Sequence, residues 1–425
     1  MHADFKFHPV GYGLFYSGVI NVPELNGMPY AFVYDCGGQN LKNVTKCVND
    51  FWKPFQKRYG ESFRLAMLVV SHFHEDHICG VPYLIDMAKP CSVVLPYLYP
   101  EEKKLYADSL KLVPSIDQQT LGALRKFISD PKEYCEKHCQ GCKVYFIDPE
   151  ENAAKPRSMS LEENVAGRSF GELHFAVENV GVRDGLSVVK NGAVGRIAHW
   201  EFHFYMPRTD LKARIIKRWL SNVGIKLELQ NITARVWRNF VARFKNCFGR
   251  RQNSSNLICM HGPILGAEAK GRWRAWTGNC NYIHCWIPFC VLRGPVACGD
   301  VVDGDFVYDG SWTGHSGFQV LTGDAEFLRS VPAEIADMIK ECCFLFHVPH
   351  HGSKKNWRDW FVGELTNCKL WIATHQSDCK YKGRDFMTTN LYRVNTCHVT
   401  ENPNSLLTVR MLMGLHAGMD DAILG

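Results

Sequence analysis

The chain has 425 residues, of which 46% are hydrophobic and 22% charged, and its formal net charge is +6 at pH 7. This composition excludes disorder, collagen-like repeats and coiled coil as the main architecture, and no run reaches the roughly 18 apolar residues that span a bilayer. The start lacks a basic segment followed by an apolar one, so we expect no secretory signal, no membrane association and a cytoplasmic location. We therefore expect most of the 18 cysteines to be reduced core residues.

Strand and helix patterns alternate along the chain. Alternating apolar residues predict β structure over 5–20 and a return strand over 30–34, and a helix pattern covers 41–59. The uninterrupted apolar run 65–70 is typical of a strand buried on both faces. Further predicted strands are 92–95, 256–260, 306–308, 317–321, 343–348 and 369–374, and further predicted helices are 100–112, 116–129 and 333–341.

One segment holds the excess positive charge. Residues 207–251 contain twelve Lys and Arg against two acidic residues, a net +10. Arg218, Arg238 and Arg243 each stand beside an aromatic residue, a pattern that suits phosphate contacts together with stacking on unpaired bases. The alternative is that the aromatic residues form the buried face of two helices and the cations a solvated one.

The strongest motif directly follows the predicted strand 65–70. It reads Ser-His-Phe-His-Glu-Asp-His over residues 71–77, so three imidazoles and a carboxylate fall within six residues. This donor set suits two adjacent transition-metal ions. We expect His72 and His74 to lie nearest one ion, and Asp76 and His77 to lie nearest the second.

These residues form the pattern H-x-H-x-D-H, and the chain resembles the metallo-β-lactamase superfamily. The resemblance continues, in the family's order, with Asp35, the Leu-Thr-Gly-Asp run ending at Asp324, and the Pro-His-His-Gly-Ser run containing His350. It implies an α/β (α+β) fold, specifically a four-layer αββα sandwich with the metals at one edge. It also implies that Asp35 orients the histidine loop, that Asp324 bridges both metals and that His350 is a ligand.

The resemblance is closer to one branch of the superfamily. The runs 253–257, 321–324 and 350–354 look like the metallo-β-lactamase domain of bacterial DNA-uptake (competence) channel proteins, a branch associated with metal-dependent nuclease activity. We expect residues 1–150 and 251–425 to form the two halves of the domain, the second ending in a C-terminal tail. Residues 151–250 are then an insertion that carries the basic helical segment 207–251.

The superfamily's third-motif histidine has no clear counterpart, and His261 is the nearest candidate. A missing nitrogen ligand favours Mn²⁺ over Zn²⁺ and a second ion that is weakly held or absent. A bound ion lowers the pKa of water toward neutrality. We expect Asp76 to orient the attacking water or accept its proton, and His351 to protonate the leaving oxygen. Lys354 and Lys355 are expected to hold phosphate.

Three functions remain open at this point. The favoured one is a metal-dependent phosphodiesterase or nuclease, most plausibly acting on DNA in bacterial defence or DNA processing. The second is a small-molecule hydrolase acting on a lactam, lactone, ester or cyclic nucleotide. The third is a non-catalytic binding module whose metal site is degenerate.

A second, weaker metal motif lies outside these runs. Cys135, His138, Cys139 and Cys142 include a C-x-x-C pair, which indicates an additional structural zinc site. Cys135 or His138 would be the third ligand and a fourth ligand has no assignment. The alternative is a set of reduced thiols near the start of a strand.

Overall fold

Two β-sheets contain the strands of the described chain. The computed structural model describes residues 1–21, 28–110, 116–152, 173–197, 200–206, 256–264, 270–277, 307–313, 317–325, 333–352, 363–376 and 396–413. The strands, in chain order, are β1 (His2–Phe7), β2 (Phe15–Asn21), β3 (Pro29–Cys36), β4 (Met67–Val69), β5 (Ser92–Pro96), β6 (Lys143–Asn152), β7 (His174–Phe175), β8 (Val180–Arg183), β9 (Leu186–Asn191), β10 (Val194–Ile197), β11 (Trp200–Tyr205), β12 (Ile258–Pro263), β13 (Lys270–Thr277), β14 (Val307–Thr313), β15 (Phe318–Leu321), β16 (Cys343–His347), β17 (Leu370–Thr374), β18 (Thr396–Val399) and β19 (Leu407–Met413).

Helices connect many of these strands. They are α1 (Leu41–Tyr59), α2 (Glu75–Ile78), α3 (Val81–Ala88), α4 (Pro100–Ser109), α5 (Gln118–Ser129), α6 (Pro131–His138) and α7 (Ala333–Cys342). Among the described helices, none is both long and apolar enough to cross a membrane.

Each sheet contains a run of parallel strands. The first sheet has the order β14-β13-β19-β1-β2-β3-β4-β5-β6-β9-β8, and its strands from β3 to β9 pair in parallel. The second has the order β18-β17-β16-β15-β12-β11-β10-β7, and its strands from β15 to β18 are parallel. Because parallel strands end at the same edge of a sheet, the loops that follow them meet there, which is where sites commonly form.

The packing of β3 shows why the sheets lie face to face. All eight of its residues are buried. Tyr30, Phe32 and Tyr34 belong to an apolar cluster that includes Phe202 and Leu321 of the second sheet. Side chains alternate between the two faces of a strand, and burying each large apolar one stabilises the fold by about 1.5–3 kcal/mol.

Helices pack against each sheet through separate apolar clusters. Ala31 and Val33 of β3 share a second cluster with Val48 of α1 and Leu84 of α3. A third cluster joins α7 to the second sheet and contains Ile339 together with residues of β12, β15 and β16. The mixed α/β class with two sheets agrees with the fold expected from the sequence, and the four-layer arrangement stays a prediction.

Strands from the predicted insertion 151–250 pair with strands of both sheets. Residues 173–206 fall inside the expected insertion 151–250, yet they supply β8 and β9 to the first sheet and β7, β10 and β11 to the second. They are therefore part of the two sheets, because their strands pair with β6 and β12. The basic segment 207–251 lies outside the described residues.

Candidate metal centre

Four strand ends bring the site together. Asp35 lies at the end of β3, and the histidine loop 71–77 follows β4 and runs into α2. Asp324 follows β15, and His350 and His351 lie in the 3-10 turn Pro349–Gly352 after β16. Both sheets thus contribute residues that are distant in the sequence to one place.

The potential donor atoms form two groups. His72, His74 and Asp324 offer three atoms that lie within 4.8 Å of one another, and Asp76, His77 and His351 do the same. Within the described ranges, these are the groups of three or more such residues that could hold a metal ion. The geometry therefore joins residues of the histidine loop to residues that follow β15 and β16.

Asp324 lies between the two groups. Its Oδ1 is 3.4 Å from His77 Nε2 and 3.6 Å from His351 Nε2. Its Oδ2 is 3.9 Å from His72 Nε2 and 3.6 Å from His350 Nε2. One carboxylate that presents a separate oxygen to each group is suited to bridge two cations.

His77 is oriented by a buried carboxylate. Asp35 Oδ2 accepts a hydrogen bond of 2.8 Å from His77 Nδ1, and both side chains are fully buried. The ring then directs Nε2 toward Asp324, as in metal sites where a carboxylate holds the far nitrogen of a ligating histidine. Burial lowers the pKa of His77, but Asp76, Asp324 and Asp35 outweigh burial and hold that pKa well above its usual value.

The donor atoms fit a divalent cation. His77 Nε2 and His351 Nε2 are buried and make no hydrogen bond, although both face carboxylate oxygens. Burial raises the pKa of Asp324, but His350 and His77 outweigh burial and hold it well below its usual value, so the carboxylate is ionised. Buried imidazole nitrogens and an ionised carboxylate that converge on one place are the donor types that Zn²⁺ or Mn²⁺ binding requires.

The two neighbouring histidines differ from the roles expected from the sequence. His351, expected to act as the acid, is almost fully buried, and its Nε2 lies 3.4 Å from Asp76 Oδ2. Its Nδ1 donates to the carbonyl oxygen of Thr374 at 3.0 Å, which directs the other nitrogen into the second group. His350, expected to be the ligand, is 26% exposed and lies beside the first group. His351 thus belongs to the second group of donors, and His350 lies outside both groups.

The turn that carries these histidines has an uncommon backbone. His350 and His351 have φ values of 52° and 55°, the left-handed region that residues other than glycine rarely adopt. The turn is held by His350 N, which donates to Gly323 O at 3.1 Å, and by the Thr374 contact of His351. Such strained residues persist where the surrounding structure fixes them, commonly at functional sites.

Two glycines permit the close approach of the loops. A Cβ on Gly323, where φ is 52°, would lie 2.8 Å from Ser71 Oγ. A Cβ on Gly37 would lie 2.4 Å from the carbonyl carbon of His77. Any larger residue at either position would push the histidine loop away from Asp35 or Asp324.

Sequence reasoning missed some of the supporting residues. Tyr34 Oη donates to Leu257 O at 2.6 Å and also lies 3.2 Å from Leu321 O, so it ties β3 to the second sheet. Leu257 N in turn donates to Ser71 O at 2.7 Å. Tyr34 is adjacent to Asp35 in the sequence, but a buried tyrosine on a strand gives no signal that its hydroxyl crosses to another sheet.

Two sequence-based candidates lie away from this centre. His261 is packed in the core against Tyr16 and Trp200, and burial lowers its pKa to about 3, so it is not the third-motif ligand. His138 pairs with Asp86 through a contact of 2.7 Å. His138 belongs to neither group of three donors found among the described residues.

Two of the cysteines near His138 donate to backbone carbonyls. Cys139 Sγ donates to Ile85 O at 3.6 Å, and Cys142 Sγ donates to Lys143 O at 3.8 Å. Cys135, Cys139 and Cys142 are all free cysteines, and the described residues contain no three-donor group there. The thiols are reduced in this arrangement, and the structural zinc site stays a prediction.

Five predicted phosphate contacts cannot be placed relative to the centre. Arg218, Arg238, Arg243, Lys354 and Lys355 lie outside the described residues.

Comparisons with known proteins add little to this geometry. No protein-family model and no curated protein matches the chain. A solved structure of MEM-A1, a subclass B3 metallo-β-lactamase isolated from a soil metagenome library, is similar over 48% of this chain at 9% identity and a TM-score of 0.20. The matched part spans about half of that enzyme, 52% of its length. A likeness at this level carries no argument.

The case for a family relationship therefore depends on the chain's own residues. The two-sheet α/β fold and the paired groups of histidines and aspartates agree with the metallo-β-lactamase superfamily that the sequence resembles. The closer resemblance to the competence-channel branch stays a prediction.

Proposed function

We propose that this protein is a metal-dependent hydrolase of the metallo-β-lactamase superfamily, with the four-layer sandwich that this implies. The observation that carries the proposal is Asp324, whose two oxygens face two separate groups of histidine and aspartate donors. His72, His74 and Asp324 would hold one divalent ion, and Asp76, His77, His351 and Asp324 the other. Bound ions of this kind supply Lewis acidity and lower the pKa of water to near neutrality.

The side chains divide the remaining tasks by exposure. The side chain of Asp76 is 19% exposed and that of Asp324 is 6% exposed, so Asp76 is the carboxylate that solvent reaches more easily. We assign Asp76 the role of accepting the proton of the attacking water. We assign His350, the more exposed of the paired histidines, the role of donating a proton to the leaving oxygen. Such proton transfers contribute typically 10²–10⁴-fold to rate.

Nucleic acid is the substrate class that we propose, and DNA the first to test. The support is the net +10 charge of residues 207–251, which would concentrate a polyanion near the protein. Arg218, Arg238 and Arg243, each beside an aromatic residue, are the proposed contacts to single-stranded backbone and bases. Lys354 and Lys355 follow the turn that carries His350 in the sequence, and they are proposed to hold the scissile phosphate.

A cleavage assay tests the activity. Purified protein is incubated with plasmid DNA and with single-stranded DNA, in Mn²⁺ or Zn²⁺ and in chelator. We expect metal-dependent cleavage that is lost in His72→Ala and Asp324→Ala. The matched control is His138→Ala, which removes a histidine paired with an aspartate outside the centre and is expected to retain full activity.

Salt dependence tests the substrate class separately. Capture of a polyanion by Lys and Arg weakens steeply as salt rises, so cleavage should fall with salt. The combined Arg218→Ala, Arg238→Ala and Arg243→Ala variant should show a shallower dependence on salt, because it has three fewer phosphate contacts. Metal-dependent turnover of small esters or lactams with no cleavage of either DNA would refute nucleic acid as substrate while leaving a hydrolase. No metal-dependent turnover of any of these substrates would refute the hydrolase itself.

A further inference from the structure

The hydroxyl of Ser71 lies between Asp35, which orients His77 of the second group, and His72, a potential ligand in the first group. Ser71 Oγ is 2.6 Å from Asp35 Oδ2 and 2.9 Å from His72 Nδ1. Asp35 Oδ2 is also the atom that accepts from His77 Nδ1, at 2.8 Å. A continuous path of buried hydrogen bonds therefore runs from His77 through Asp35 and Ser71 to His72.

The direction of each hydrogen bond follows from the chemistry of the carboxylate. Three donors converge on Asp35, because Ser71 N donates to Oδ1 at 2.6 Å in addition to the two contacts of Oδ2. An ionised carboxylate acts only as an acceptor. Ser71 Oγ must then give its proton to Asp35 and accept one from His72 Nδ1.

This direction determines how His72 faces the centre. With its proton on Nδ1, the lone pair of His72 lies on Nε2, the atom that is 3.0 Å from His74 Nδ1 and 3.9 Å from Asp324 Oδ2. His77 likewise has its proton on Nδ1, because this nitrogen donates directly to Asp35. The hydrogen bonds thus prepare one ligand of each group for a metal ion.

We propose that Ser71 is a positioning residue: its hydroxyl connects His72 to Asp35 by hydrogen bonds, so that one buried carboxylate orients a ligand of each metal ion. The inference rests on the proposed two-metal site. The two residues are then expected to differ in effect. Loss of the Ser71 hydroxyl weakens the binding of only one ion, the one in the His72 group, whereas loss of the Asp35 charge weakens the binding of both ions. In Ser71→Ala the backbone contact from residue 71 to Asp35 remains, so His77 keeps its support.

Metal titration of three variants tests the proposal. The variants are Ser71→Ala, Asp35→Asn and the control Ser17→Ala, which removes another buried serine that contacts a histidine, His8, at 2.8 Å. Ions per chain and their affinities are measured with Zn²⁺ and Mn²⁺ against a competing chelator. We expect Ser71→Ala to weaken one ion by about 10–100-fold, Asp35→Asn to weaken both, and Ser17→Ala to weaken neither.

Two further measurements separate positioning from general damage. Unfolding of the metal-free variants in urea shows whether the fold is kept, and imidazole ¹⁵N NMR of the wild-type protein should show His72 and His77 protonated on Nδ1. Ser71→Ala with both affinities unchanged, both affinities reduced alike, or a proton on His72 Nε2 would overturn the inference. A wild-type chain that binds no ion would refute the proposed function instead.

Discussion

Replacing Gly323 by alanine should destabilise the fold by a calculable amount. Residue 323 has a φ of 52°, and a Cβ there would lie 2.8 Å from Ser71 Oγ and 2.9 Å from Ser71 Cβ. The left-handed backbone costs an alanine about 1–2 kcal/mol, and overpacking typically adds about 1–3 kcal/mol. We therefore expect the free energy of unfolding to fall by about 2–5 kcal/mol, measured by urea denaturation in chelator.

Two other glycines separate the contributions. Gly185→Ala meets the same backbone penalty at φ 75° but has no atom within 4 Å of the new Cβ, so it should cost only about 1–2 kcal/mol. Gly122→Ala, inside α5 and also without neighbours, should stabilise by about 0.5–1 kcal/mol. If Gly323→Ala cost no more than Gly185→Ala, the close contact between the Asp324 loop and the histidine loop would be refuted.

Three further predictions concern stability and the roles of single residues. Burial lowers the pKa of His8 to about 3, below the unfolded value of about 6.5. The contribution of neutral His8 to the free energy of unfolding is therefore complete above pH 6.5 and is lost as pH falls, by about 1.4 kcal/mol per pH unit. In urea unfolding at pH 7, 6 and 5, the free energy of unfolding should change less with pH for His8→Gln than for the wild type, and an equal change would contradict this. Tyr34→Phe leaves the buried Leu257 carbonyl without its donor and should cost about 1–3 kcal/mol in the same assay; no loss would mean that the link between the sheets is unimportant. His351→Ala should lower the number of ions bound per chain, whereas His350→Ala should keep both ions and lower the rate by about 10²–10⁴-fold; the reverse result would restore the roles expected from the sequence.

The sequence predicted the parts of the fold that depend on local pattern. The apolar run 65–70 contains β4, and the predicted strands 317–321 and 343–348 contain β15 and β16, because short apolar runs between turn signals have few other local solutions. The strands within 173–206 were assigned to an insertion. Their partners, β6 and β12, lie elsewhere in the chain. Pairing between strands that are distant in the sequence does not produce a recognisable local sequence pattern.

The candidate site was predictable in its residue types and less so in its assignments. The pattern from His72 to His77 gave the histidine loop, because ligand spacing is local. The place of His351 in the second group of donors was not predictable, since it depends on a left-handed turn and on the carbonyl of Thr374. The zinc site at Cys139 stays a prediction, and spacing alone does not reveal that this thiol donates to a helix carbonyl.

The central claim is that Asp324 joins two ion-binding groups into one centre. A crystal structure of the protein grown with Mn²⁺, with anomalous diffraction recorded at the manganese edge, tests it most directly. We predict two anomalous peaks, one among His72, His74 and Asp324, the other among Asp76, His77 and His351, with a different oxygen of Asp324 bound to each. Peaks that lie elsewhere, or an Asp324 carboxylate that binds no ion, would contradict the account.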